Sequence, residues 1–115
     1  MYWLLIIFLL IPQIASAQSA WVHWKRFAER NKDSGLYLIT TPWLTEAAFD
    51  TRKECINRML EFYKEYKVYD RPGSYHVTPD TPKLTDNKMV FYTTWPASSV
   101  KIFSECWPSN IKPSD

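Results

Sequence analysis

Cys55 and Cys106 are the only cysteines in this 115-residue chain, and joining them would bring two distant points to within about 7 Å at Cα. No other feature restricts the fold as tightly. Cys55 falls where a helix is expected to begin and Cys106 near the end of the last strand-like run, so a bond between them would tie a helix start to a strand end. Whether the thiols pair depends on the compartment.

The first residues address that question. Tyr2 to Ile11 form an unbroken apolar run, Pro12 ends it, and Ala15-Ser16-Ala17 supplies a small-x-small site before Gln18. This is the layout of a secretory signal peptide cut after Ala17, leaving residues 18–115 as one domain, periplasmic or secreted. An uncut anchor is the competing reading. It would need roughly 20 apolar residues, and the run here is shorter. In its favour, the leader has no basic residue, while Lys25, Arg26 and Arg30 follow it and would tend to hold that flank inside. After cleavage no stable membrane span is expected. In an oxidising compartment a lone cysteine pair in a small domain forms a disulfide. The rival use of Cys55 and Cys106 with His23 and His76 as a zinc site lacks the closely spaced ligand pairs such sites use, so neither metal nor cofactor is expected.

Periodicity then places the elements. Ala20 to Phe27 alternates, with Val22 and Trp24 on one face and Trp21, His23 and Lys25 on the other, which predicts a strand. A short helix over Lys25 to Asn31 stays open, because that stretch has no β-branched residue. Asn31 to Gly35 is a turn cluster, and Leu36 to Thr41 a second strand. Thr51-Arg52-Lys53-Glu54 fits a capping box and opens a helix to about Lys67, whose apolar stripe is Cys55, Ile56, Met59, Leu60, Phe62, Tyr63 and Tyr66. Glu54 with Arg58 and Glu61 with Lys64 are expected to pair on its solvated side. Asp70 to Asn87 reads as mostly irregular, briefly extended at Tyr75-His76-Val77. Lys88 to Trp95 and Val100 to Trp107 make a second hairpin around Pro96 to Ser99.

If the disulfide forms, the last strand must finish at the edge where the helix begins. The expectation is therefore an α+β domain of ββαββ order: a mainly antiparallel four-stranded sheet, one helix packed on one face, and a helix-to-strand disulfide. Strand order stays open.

For function the sequence mostly excludes. The chain has 14 Lys and Arg against 12 Asp and Glu, a net charge of +2, with the cations scattered along it, so no electrostatic footprint for nucleic acid is visible. There is no G-x-S-x-G and no H-E-x-x-H, and only two glycines, which argues against a nucleophile elbow, a zinc protease or a phosphate-cradling loop. No catalytic residue is nominated, and a non-enzymatic role is expected. The aromatics are the remaining signal. Of 6 Trp, 7 Tyr and 6 Phe, all but Tyr2, Trp3 and Phe8 lie beyond the leader. Most should pack the core. Trp21, Trp43, Tyr75, His76, Trp95 and Trp107, at strand ends or in the long loop, are the candidate ligand surface. The expected partner is an envelope or extracellular protein or a glycan, with a carbohydrate or small-molecule binder as the alternative.

A W-x-x-W strand at Trp21 to Trp24, Phe49-x-Thr51-x-x-x-Cys55 entering a helix, and Cys106-x-Pro108 near the end together resemble small exported bacterial proteins of uncharacterised function. That resemblance spans most of residues 18–115. It implies export and a disulfide-stapled α+β fold, and it carries no activity and no functional residue across.

Overall fold

The computed structural model describes residues 20–114; the expected leader and its cleavage site lie outside the described residues. β1 (Trp21–Arg30) runs on through the stretch where a helix was the alternative. It turns at Asn31, whose side-chain oxygen accepts the N–H groups of Asp33 and Ser34 at 2.9 and 3.0 Å. Gly35 supplies the left-handed residue of that turn at φ 75°. β2 (Tyr37–Ile39) returns along β1 from Ala28 to Arg30. After a break at 40–43 the same edge resumes as β3 (Leu44–Phe49), paired with β1 from Trp21 to Lys25.

α1 (Arg52–Lys67) begins at its expected cap. The Thr51 hydroxyl accepts the Glu54 N–H at 3.2 Å and donates to the Glu54 carboxylate at 3.0 Å. In a full capping box Glu54 would instead reach the cap's own backbone N–H. The chain then passes through β4 (His76–Thr78) and β5 (Leu84–Thr85), turns through Asp86 and Asn87, both at positive φ, into β6 (Lys88–Trp95), and closes with β7 (Ser98–Pro108). All pairings are antiparallel. The sheet order is β2-β1-β7-β6-β4, with β3 also on β1 and β5 also on β6.

The fold is thus α+β, one helix on a mainly antiparallel sheet, with Cys55 and Cys106 bonded at a Cα separation of 6.1 Å. The apolar stripe of α1 packs on the face of β1, β6 and β7 bearing His23, Met89, Phe91, Ile102, Ser104 and Cys106, which are all buried. Phe91 is the hub: its ring centroid lies 5.9, 5.3 and 5.4 Å from those of Phe62, Tyr63 and Tyr66. Each such side chain, fully buried, contributes about 1.5–3 kcal/mol. Among the described residues no helix is long and apolar enough to cross a membrane.

Three expectations need correction. Among the described residues the sheet has seven strand segments rather than four. Leu44–Phe49 was missed because its Ala47-Ala48 centre lacks β-branched residues and pairing with β1, not local propensity, makes it a strand. β5 was missed because Leu84-Thr85 is too short to show a period, although Asp86-Asn87 is a two-residue turn of the type hairpins favour. Finally, Arg58 does not pair with Glu54. It reaches off the helix to Glu46 of β3, and along the helix to Glu65, because a carboxylate held by the sheet costs less ordering than a free helix side chain.

Candidate functional site

Beside the C-terminal half of α1 lies an open groove of about 1050 Å³. Phe62 and Tyr66 of α1 form one wall, with Tyr69 just past the helix, and Tyr75 and Trp95 form the other. Lys25, Glu46, Arg58 and Glu65 supply its charge. The wall arises because the Tyr63, Tyr66, Tyr69 spacing continues past the last helical residue, so the aromatic stripe outruns the helix. Tyr75 is buried before β4 and its ring lies 4.6 Å from that of Trp95, which is half exposed at the tip of β6. Tyr69 is 70% exposed and Val68 65% exposed, a lip of apolar surface over the opening. Burial pushes the phenols of Tyr66 and Tyr75 above their ordinary pKa, so both stay neutral.

The charged end is built on an irregularity. In the β1–β3 ladder His23 pairs with Ala47 and Trp24 with Thr45, so Glu46 is an extra residue bulged out of register. Bulges re-aim a side chain, and this one turns the Glu46 carboxylate inward. It accepts from Arg58 Nη2 at 2.6 Å and Nε at 3.1 Å, and from His23 Nδ1 at 3.0 Å. Arg58 Nη1 donates to Glu65 at 2.6 Å. Hydrogen bonding to Arg58, above all, holds the Glu46 carboxyl down at about 2. The Glu46 bonds in turn raise the guanidinium.

Behind Glu46, His23 is fully buried, and burial lowers its pKa against the opposing pull of Glu46. With Nδ1–H donated to the carboxylate, Nε2 accepts the Ser104 hydroxyl at 2.5 Å. Ser104, His23 and Glu46 therefore stand in the hydrogen-bonding order of a nucleophile, a base and its orienting acid. Burial decides what this can do. Ser104 and His23 have no exposed surface, and the Phe62 ring closes over the imidazole edge-on at 5.2 Å. A hydroxyl that meets no solvent meets no substrate, so the chain of bonds satisfies polar groups that the core has buried. Cys55 and Cys106, spent in the disulfide, offer no thiolate, and among the described residues no cluster of His, Cys, Asp and Glu could hold a metal.

The six residues nominated from sequence separate. Tyr75 and Trp95 meet in the groove wall. His76, half exposed, lies outside it and bonds through Nδ1 to Asp70 at 3.2–3.3 Å; its register with Thr94 sets it on the sheet face away from α1. Trp43 and Trp107 are also on that face. Trp43 packs edge-on to Phe103, and Trp107 Nε1 donates to Glu105 at 2.7 Å. Trp21 packs half-buried against the core. Lys25, Glu46, Arg58 and Tyr69 were not nominated. The tyrosine spacing beyond Lys67 could have flagged Tyr69. Nothing local marks Glu46, since a bulge is a property of two strands together. No family model, curated protein or solved structure matches the chain.

Proposed function

We propose that this chain is an exported, non-enzymatic binding module whose groove takes a carbohydrate or a small molecule of similar size. The observation that carries this is the groove itself, an aromatic wall opposite a charged end already held rigid by the Glu46–Arg58–Glu65 bonds. Ligand sites combine concavity, aromatic lining and a few fixed polar groups in this way. The flat faces of Tyr69 and Trp95 suit a sugar ring. Lys25 Nζ, 5.6 Å over the Phe62 ring, pairs with no carboxylate among the described residues and is left to meet a ligand. The disulfide supports export, because such bonds persist in oxidising compartments, and the resemblance to small exported proteins points the same way.

A protein partner is the second reading. Leu36, Leu38, Ile39 and Leu44 are exposed along the β2–β3 edge, and β2, which carries no charged residue, is a template for strand addition.

The deciding experiment is a tryptophan-fluorescence titration with N-acetylglucosamine oligomers of graded length, comparing the native chain with Trp95→Ala and with Leu38→Lys. Saturable binding weakened at least about tenfold by Trp95→Ala and untouched by Leu38→Lys supports the groove. Binding equal in all three, or none with any oligomer, would overturn this assignment.

A further inference from the structure

At the end of the sheet where β1 turns into β2, a second pocket of about 240 Å³ lies between two hairpin tips. Arg30 and Lys32 border it from the end of β1 and its turn, and residues 94–99 border it from the tip that joins β6 to β7. The sheet brings the two tips together, because the last β1–β7 pair is Glu29 with Val100, one residue short of Arg30 and Ser99. Opposite Arg30 on β2, Tyr37 shares a hydrogen bond of 2.8 Å through its hydroxyl with Ser99 Oγ, and its ring lies 5.4 Å from that of Tyr92. Ser99 is buried, so this bond is a fixed floor that ties one hairpin to the other.

The charge around this pocket is one-sided. Arg30 and Lys32 are exposed and enter no ion pair among the described residues, whereas Arg58 and Lys67 of α1 are each engaged by more than one carboxylate. No Asp or Glu borders the pocket. A Cβ placed on Gly35 would meet Arg30 Nη2 at 3.8 Å, so the guanidinium lies along the turn that carries Lys32. Two cations with no acid around a concavity focus a positive potential into it. The exposed hydroxyls of Thr94 and Ser98 hold no hydrogen bond among the described residues and add donors. A planar guanidinium fork, an ammonium and two hydroxyls suit the oxygens of a phosphate group. Trp95 offers apolar surface beside them. With a water taking roughly 30 Å³, the pocket has more room than a bare tetrahedral anion needs.

We propose that this pocket binds a small phosphate monoester, its phosphate held by Arg30 and Lys32 and its organic part turned toward Trp95. The site meets the groove beside α1 only at Trp95, which borders both. The test is isothermal titration calorimetry of the native chain with glucose 6-phosphate, glucose and inorganic phosphate. Glucose 6-phosphate should bind saturably, at least about tenfold more tightly than either of the others, and more weakly as salt rises. Arg30→Gln with Lys32→Gln should weaken that binding at least about tenfold while leaving the urea midpoint unchanged, since both side chains are exposed. The same charge loss on exposed α1 positions, Lys53→Gln with Lys64→Gln, should change it less than about twofold, and Tyr69→Ala in the groove should leave it unchanged. Equal binding of inorganic phosphate would make the free ion the source and overturn the ester. Equal losses in the two glutamine pairs, a loss in Tyr69→Ala, or glucose 6-phosphate bound no more tightly than glucose would overturn the site itself.

Discussion

His23 and Glu46 show how far one buried pair can reach. Burial above all lowers the His23 pKa, Glu46 opposes it, and the nearby cations Arg58 and Lys25 add to the lowering. A neutral, depressed histidine binds fewer protons folded than unfolded below about 6.5, so its contribution to stability declines as pH falls through that value. Glu46 acts in the same direction. Its folded value of about 2 lies below its ordinary 4.5, so its contribution is complete above 4.5 and is lost as pH drops toward 2. With the carboxylate only 15% exposed, the stake is on the order of 3 kcal/mol. Glu46→Gln should therefore lower stability at pH 7 and flatten its loss between pH 5 and 3. Urea unfolding at several pH values reads both effects; an unchanged pH slope would dismiss the assigned role of Glu46.

Among the elements, α1 was the most legible because its cap and stripe are local. Thr51→Ala should cost about 1 kcal/mol and Thr51→Ser should recover most of it, as measured by urea midpoints; a neutral Thr51→Ala would mean that helix packing alone sets the start. The strands were read by how local their signals are. β1, β6 and β7 alternate over enough residues to show a period, and the Asn31–Gly35 turn carries its own chemistry. β3 and β5 show none. β3 is extended because β1 offers it a partner, and its bulge at Glu46 exists only in the register of the two strands. That is why Glu46, which joins the groove to the buried histidine, could not be singled out, whereas Tyr75 and Trp95 were found as unexplained aromatics at element ends.

Across the whole molecule the disulfide joins residues 51 apart and so closes about half of the domain into one loop. On the chain-entropy account, opening such a loop costs about 4 kcal/mol, a large part of what a domain this size has to spare. Cys55→Ala with Cys106→Ala should lower the free energy of unfolding by roughly that amount, measured against the oxidised chain in urea. An equal midpoint for the two would show that sheet and helix packing suffice. The bond also explains the layout: it sets the start of α1 over the end of β7, leaving the C-terminal half of the helix to overhang the β6 tip and form the groove.

The amino-acid sequence by itself determined the helix with its cap and apolar face, four of the strands, the α+β class and the pairing of Cys55 with Cys106. Each of these follows from short-range periodicity or from the presence of a single possible partner. Only the tertiary structure decided that Glu46 bulges inward, that Ser104 and His23 are buried beyond reach of a substrate, and that Arg30 and Lys32 border one pocket with the β6–β7 turn. Those outcomes depend on register between strands distant in sequence, where a shift of one residue would send every side chain to the opposite side of the sheet.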